Sequence, residues 1–255
     1  MAIIHGKAGE NAFQQGLIRR QNVLAAIVLG GFLLSLVLGM LWGVSFSKHG
    51  PLQWFSTIGI LLLAGLIFGL RKKIDRNLEN QLREARAWRK GEEGERIIAS
   101  VLESELPNEF HVFNDVRFPG RTANIDHLVV GPSGVFVLDT KNWRGTVGWT
   151  EDGKTLLWNG EPEKKNSAKA ALSAALDVRD KLRALLNRDV FVKAVLVFPL
   201  AKVFPKHDTP TPVELQQDDY LIDHRLKYID KRSSLSEKEV KEIVGALTAL
   251  FRKNI

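Results

Sequence analysis

The chain of 255 residues contains no cysteine. Disulfides, zinc–thiolate centres and cysteine nucleophiles are therefore excluded, and thiol chemistry gives no clue to compartment. Internal repeats and low-complexity tracts are also missing. Two stretches lack charge altogether. Val23 to Val44 is apolar but for Ser35, and Leu52 to Leu70 is broken only by Gln53, Ser56 and Thr57. No A-x-A-like cleavage site follows the first run, which is also too long for the core of a signal peptide.

Basic residues are in excess, with a formal net charge of +7. That balance suits anionic partners, either nucleic acid or lipid head groups. It also suits a membrane-attached protein that carries Lys and Arg on its cytoplasmic side. Each apolar run is close to the roughly 20 residues that cross a bilayer core. A short segment, Ser45 to Pro51, joins them. The expectation is a transmembrane helical hairpin over residues 22–70, with spans at 22–44 and 52–70. Arg19 and Arg20 precede it, Arg71, Lys72, Lys73 and Arg76 follow it, and the joining loop holds only Lys48 and His49. This asymmetry places the 1–21 tail and everything after residue 70 in the cytoplasm, in a multi-pass inner-membrane protein. The basic cluster after Leu70 argues for retention and against reading Arg19-Arg20 as a twin-arginine export signal. Gly39-x-x-x-Gly43 and Gly65-x-x-x-Gly69 put small residues on one face of each span, a route to close helix packing within the hairpin or to a homo-oligomer.

Residues 71–90 are densely charged, with Leu78, Leu82 and Ala85 at helical spacing. They read as a helical linker continuing into Trp88–Leu106, with Gly91 as a point of interruption and Pro107 as its stop. Residues 91–255 then read as one α/β domain with a mixed sheet. Strands are expected at 110–118, 123–130, 135–141, 146–150, 155–158 and 191–199, and helices at 168–186 and 236–253. Ser236 and Glu239 have the spacing of a capping box for the last helix.

The chemistry concentrates around Asn124-Ile125-Asp126-His127 and Asp139-Thr140-Lys141. Gly131-Pro132-Ser133-Gly134 lies midway and reads as a tight turn between two β-branched runs. A hairpin centred between Pro132 and Ser133 sets Asp126 opposite Asp139 and Asn124 opposite Lys141. Strand side chains alternate faces, so Asp126, Asp139 and Lys141 share one face, and His127 points to the other. Facing carboxylates repel. A divalent metal relieves that repulsion, and the lysine suits a phosphate or a polarised water. An all-oxygen site that keeps waters fits Mg²⁺, with Mn²⁺ as the substitute.

This arrangement resembles the PD-(D/E)XK nuclease core, with Asp126 as the lone acid and Asp139-x-Lys141 as the paired motif. Upstream, Gly91-Glu92-Glu93-Gly94-Glu95 has the form of a G-x-x-G-E signature opening a helix. Downstream stand Asn142, Trp143 and Gly145. Together these motifs resemble the nuclease-related domain, NERD, a branch of the restriction-endonuclease-like superfamily, over roughly residues 88–225. The resemblance implies a restriction-endonuclease-like mixed sheet flanked by helices, here preceded by two transmembrane helices. It implies metal ligation by Asp126, Asp139, the Thr140 backbone carbonyl and Glu95, with Lys141 acting on water or phosphate. Nucleic acid, DNA ahead of RNA, is the implied substrate, and Trp143, Asn142 and Lys169 are candidate contacts to it. Trp143 reads equally as packing under the hairpin that follows. One departure stands out. The family's N-P-x-x-Q motif is here Asn166-Ser167-Ala168-Lys169-Ala170, with Ser167 and Ala170 in place of Pro and Gln. A non-catalytic binding protein that keeps the fold, or an oligomeric membrane scaffold, are the competing readings.

Overall fold

The computed structural model describes residues 1–9, 52–204, 213–217, 221–228 and 234–252, with short helical pieces between residues 13 and 32. For residues 52–78, and for 224, 225 and 252, only the backbone path is described. The chain divides into two compact units, Met1–Ala12 with Lys90–Ile255, and Phe13–Arg89.

Strand β1 spans Ile3–His5, and helix α1 spans Leu52–Glu105. Strands β2 (His111–Val116), β3 (Ile125–Gly131), β4 (Gly134–Thr140), β5 (Gly145–Trp149), β6 (Leu156–Trp158) and β7 (Glu161–Pro162) follow. Helix α2 (Ser167–Leu186) leads to β8 (Val192–Phe198), β9 (Ala201–Val203) and β10 (Val213–Gln217). A short π-helical turn at Ile222–Leu226 precedes helix α3 (Glu237–Arg252).

Among the described residues no helix is long and apolar enough to cross a membrane. Most of the expected first span, and the joining loop, lie outside the described residues. The expected second span forms the opening of α1. That helix runs unbroken to Glu105, so the interruption considered at Gly91 does not occur. A Cβ at Gly91 would meet nothing within 4 Å, and no contact there demands a break.

In the first unit six strands form one mixed sheet in the order β1-β2-β3-β4-β8-β10. The β2, β3 and β4 pairings are antiparallel, while β1 joins β2, β8 joins β4 and β10 joins β8 in parallel. Each face is covered. On one, Ile98 and Leu102 of α1, with Leu106 just past its end, bury against Val112, Val129, Phe136, Leu138, Val195 and Val197. Their four-residue spacing is the stripe that makes this part of α1 amphipathic. On the other face, Ala171, Ala175, Val178 and Leu182 of α2 and Val240, Ile243 and Leu247 of α3 cover Leu128, Val130, Val135, Val137 and Leu196. Burial on both faces explains why β3, β4 and β8 read as nearly continuous apolar runs. A smaller sheet, β7-β6-β5-β9, extends from the end of β4.

Two local devices match the spacing read from the sequence. The hairpin closes as Gly131↔Gly134, Val130↔Val135 and so on to His127↔Leu138, the register expected of a turn at Pro132-Ser133. At α3, Glu239 accepts from the Ser236 amide at 2.8 Å while Ser236 Oγ accepts from the Glu239 amide at 3.3 Å, a reciprocal capping box. β1 and β10 were not expected. Both join the sheet in parallel, a pairing that depends on distant segments.

Candidate functional site

Asp126 and Asp139 sit one residue from the outer ends of β3 and β4. Extending the ladder by one step sets them opposite each other. Asp126 Oδ2 accepts from the Thr140 amide at 2.7 Å. Lys141 Nζ donates to Asp139 Oδ1 at 2.5 Å. The Lys141 backbone is itself fixed, its amide donating to the Val197 carbonyl of β8 at 2.8 Å. Glu95 comes from α1, which packs on the opposite face of the sheet. It therefore reaches the aspartates around the strand ends, not across the face.

The electrostatics follow from crowding. Burial raises the Glu95 carboxyl to about 7, and the charges of Asp115 and Asp139 add to that rise. Burial also holds Asp126 well above the usual carboxylate range, reinforced by Asp139 and Glu95. Burial alone would lower Lys141, but Asp139 and Asp126 outweigh it and hold the ammonium above the ordinary lysine value. The cluster thus joins several repelling acids to one cation, and it is short of positive charge.

Among the described residues no three acidic or histidine groups already stand in metal-gripping geometry. The donor chemistry nevertheless fits a hard divalent cation. Glu95, Asp126 and Asp139 offer oxygen only, Asp139 helps to push both Glu95 and Asp126 toward protonation, and Thr140 Oγ1 is buried without a partner.

The G-x-x-G-E signature has a packing reason at one glycine. A Cβ on Gly94 would lie 2.7 Å from Asn142 Cβ and 3.4 Å from Thr140 Cγ2. Gly94 thus lets α1 approach the end of β4 closely enough for Glu95 to enter the cluster. Asn142 completes the latch, donating from Nδ2 to the Lys90 carbonyl at 2.6 Å. Gly94→Val should cost about 1–3 kcal/mol by overpacking. Chemical denaturation of the full chain checks this; an unchanged midpoint would show that the helix is not held this closely.

The other expected contacts are placed differently from one another. Asn142 is buried and engaged with α1, not open to a ligand. Trp143 is half-buried, stacked on Trp158 at 4.9 Å between ring centroids and tilted against Phe198 at 5.4 Å. That is the packing role under the second hairpin. Its outer neighbour Trp158 is 41% exposed. Lys169 is exposed in the first turn of α2. Ser167 is buried, and its amide donates to Glu163 Oε2 at 2.9 Å. Ala170 is exposed. His127 is fully buried on the opposite face, 2.7 Å from Asn114 Oδ1, and burial pushes it down to about 3, so it is neutral.

Three participants escaped the reading of the sequence. Asp115 lies in β2 with a left-handed backbone, φ 52°, accepts at Oδ1 from the Asn124 side-chain Nδ2 at 2.8 Å, and adds its charge to Glu95. Only the polar pair Asn114-Asp115 inside an apolar run hints at it. Glu163 caps α2 and adds a further negative charge near Lys141. Gly9 donates its backbone N–H to Glu95.

Residues 90–199 match the family model described as the nuclease-related domain, NERD. An uncharacterized protein of Bacillus anthracis is 33% identical over 82 residues, covering 31% of this chain. The chain spans 38% of that relative's length. No solved structure matches it. The matched segment holds Glu95, Asp126, Asp139 and Lys141, so over residues 90–199 this chain is similar to the nuclease-related domain.

Proposed function

We propose that the protein is a membrane-anchored, Mg²⁺-dependent nuclease of restriction-endonuclease-like fold, acting on nucleic acid at the cytoplasmic face, with DNA ahead of RNA. The observation that carries this reading is the convergence of Glu95, Asp126 and Asp139 on Lys141 in a cluster short of positive charge. Glu95, Asp126, Asp139 and the Thr140 carbonyl would hold the ion. Mg²⁺ bound there would lower the pKa of a water and neutralise charge on the scissile phosphate. Lys141 stays protonated, is aimed by Asp139, and donates to a phosphate oxygen or orients the attacking water. The Thr140 amide keeps Asp126 turned toward the cluster. Anchoring rests on the two charge-free runs and their basic flanks.

A binding-only reading is favoured by one observation: Ser167 is engaged with Glu163 and Ala170 faces solvent, so α2 supplies no amide side chain where the family motif has glutamine.

Full-length protein in detergent should cleave plasmid, linear or single-stranded DNA with Mg²⁺ or Mn²⁺ and stop with EDTA. Salt-sensitive binding without metal-dependent cleavage would give the binding-only reading precedence. Protease added to intact spheroplasts should spare residues 71–255; digestion from outside would reject the cytoplasmic placement. Base stacking, if it contributes, belongs to Trp158 and not to Trp143. Trp158→Ala should weaken single-strand binding by about 1–3 kcal/mol and leave duplex binding nearly unchanged. Equal loss on both substrates in a fluorescence titration would show that the ring serves only the fold.

A further inference from the structure

Residues 1–9 precede the expected spans and lie outside the matched domain. Even so, they are built into the same unit as the site. β1 pairs in parallel with β2 as Ile3↔His111, Ile4↔Val112 and His5↔Phe113. The Ile3 amide donates to the Phe110 carbonyl at 2.9 Å. Ala2 is buried, and Ile4 packs against the α1 face of the core. The His5 ring stacks on Phe113 at 4.4 Å and 12°.

After β1 the chain turns along the sheet toward the carboxylates. Gly6 has φ +81°, and a Cβ there would stand 2.7 Å from the Asn114 carbonyl oxygen. Asn114 is the neighbour of Asp115. Gly9 has φ +71° and is buried, and a Cβ there would lie 2.8 Å from Glu92 Cγ and 3.2 Å from Glu92 Cα. Glu92 is one turn before Glu95 on α1. Both glycines occupy backbone conformations that side chains resist, at points of close approach that a methyl would block. The segment thus bridges β2 and α1, the two elements that bring Asp115 and Glu95 to the cluster.

We propose that residues 1–9 form a strap that completes the site: the Gly9 amide holds the Glu95 carboxylate in place, so Gly9 is a positioning residue for metal capture. This rests on the nuclease reading for its consequence but not for its geometry. A backbone donor on an ionised carboxylate is a strong, directional bond. It costs no side-chain entropy, and the strap is anchored by a strand and a ring stack. Glu95 is the one acid of the proposed ligand set that comes from a helix and not from the hairpin, so it has no strand ladder to set its position.

The test has two arms on the full chain in detergent. Hydrogen exchange resolved to single amides should show Gly9 protected in the wild type. Glu95→Ala should speed exchange at Gly9 by about tenfold or more, as expected for loss of a hydrogen bond to a charged group. The Ile3 and Leu102 amides should stay protected, and Glu95→Gln, which keeps a carbonyl acceptor, should restore part of the Gly9 protection. In the second arm, Gly9→Ala is compared with Gly120→Ala. Gly120 has φ +83° but nothing within 4 Å of its Cβ position, so it carries the same backbone strain without the close approach. Gly9→Ala should raise the Mg²⁺ concentration for half-maximal cleavage several-fold with less effect on the saturated rate, while Gly120→Ala should leave it unchanged. Unchanged Gly9 exchange in Glu95→Ala would overturn the strap. Equal Mg²⁺ requirements for the two alanine variants would overturn its positioning role. A wild type that cuts nothing would reject the nuclease reading alone, because the exchange arm still decides the strap.

Discussion

Asp126→Asn protein should cleave no nucleic acid, yet without metal at neutral pH it should melt at a higher temperature than the wild type. Asp126 lies deep among other acids, and burial, then Asp139, then Glu95 oppose its charge. Asparagine removes that charge and keeps an oxygen to accept the Thr140 amide, which would otherwise lose its 2.7 Å partner. The gain should be up to about 1 kcal/mol, the scale of a like-charge pair across strands. Asp139→Ala should also lose cleavage, but without the gain in stability. Asp139 is the direct partner of the half-buried Lys141 ammonium, and deleting it leaves that cation poorly compensated. Relief of repulsion would by itself stabilise both variants; the Asp139–Lys141 bond separates them. Lys141→Ala should retain Mg²⁺ binding by calorimetry and lose about 10²–10⁴ in rate, the range for a positioned proton-transfer group. Asp126→Asn that cuts at the wild-type rate would show that this cluster is not the catalytic centre.

The second large effect is linkage between Glu95 and pH. The Glu95 carboxyl is raised by burial to about 7 in the folded protein, from 4.5. Between those values the folded state binds a proton that the unfolded state has released. Folding stability from this group therefore falls as pH rises from about 4.5 through 7, by on the order of 3 kcal/mol in total. The whole-protein pH profile does not display this cleanly. His127, pushed down to about 3 by burial, contributes stability that is lost as pH falls below its ordinary value near 6.5, the opposite trend over the same range. The informative quantity is the stability difference between Glu95→Gln and wild type in EDTA. It should be near zero at pH 4.5 and grow to a few kcal/mol in favour of the variant by pH 8. Mg²⁺ should remove most of that difference, because cation binding favours the ionised glutamate, and binding at pH 6 should release protons. A difference that is flat with pH would mean that Glu95 titrates like an exposed glutamate and does not belong to the cluster.

The sequence alone determined the features that arise from contacts between near neighbours. The turn Gly131-Pro132-Ser133-Gly134 sets the hairpin register, and that register sets Asp126 against Asp139, because a strand's period of two leaves no other choice once the turn is placed. Ser236 and Glu239 cap α3 for the same local reason. The stripe of Ile98, Leu102 and Leu106 and the β-branched run of β8 are likewise visible in periodicity. What only the tertiary structure decided depends on groups far apart in the chain. β1 has three residues, too few to show alternation, and becomes a strand only because β2 offers it an edge. Asp115 joins the acids through a left-handed backbone that nothing in its neighbours' side chains announces. Trp143 is covered by Trp158 from the following hairpin, so its ring is packing and the outer ring is the exposed one. Gly94 is read locally as a helix-motif glycine and Gly9 carries no local signal; the reason for each is the backbone or side chain that presses against it from a distant segment. Local patterns record which face a side chain will take. They do not record which distant element will lie against that face, because that is settled by which apolar surfaces remain to be buried once the local elements have formed.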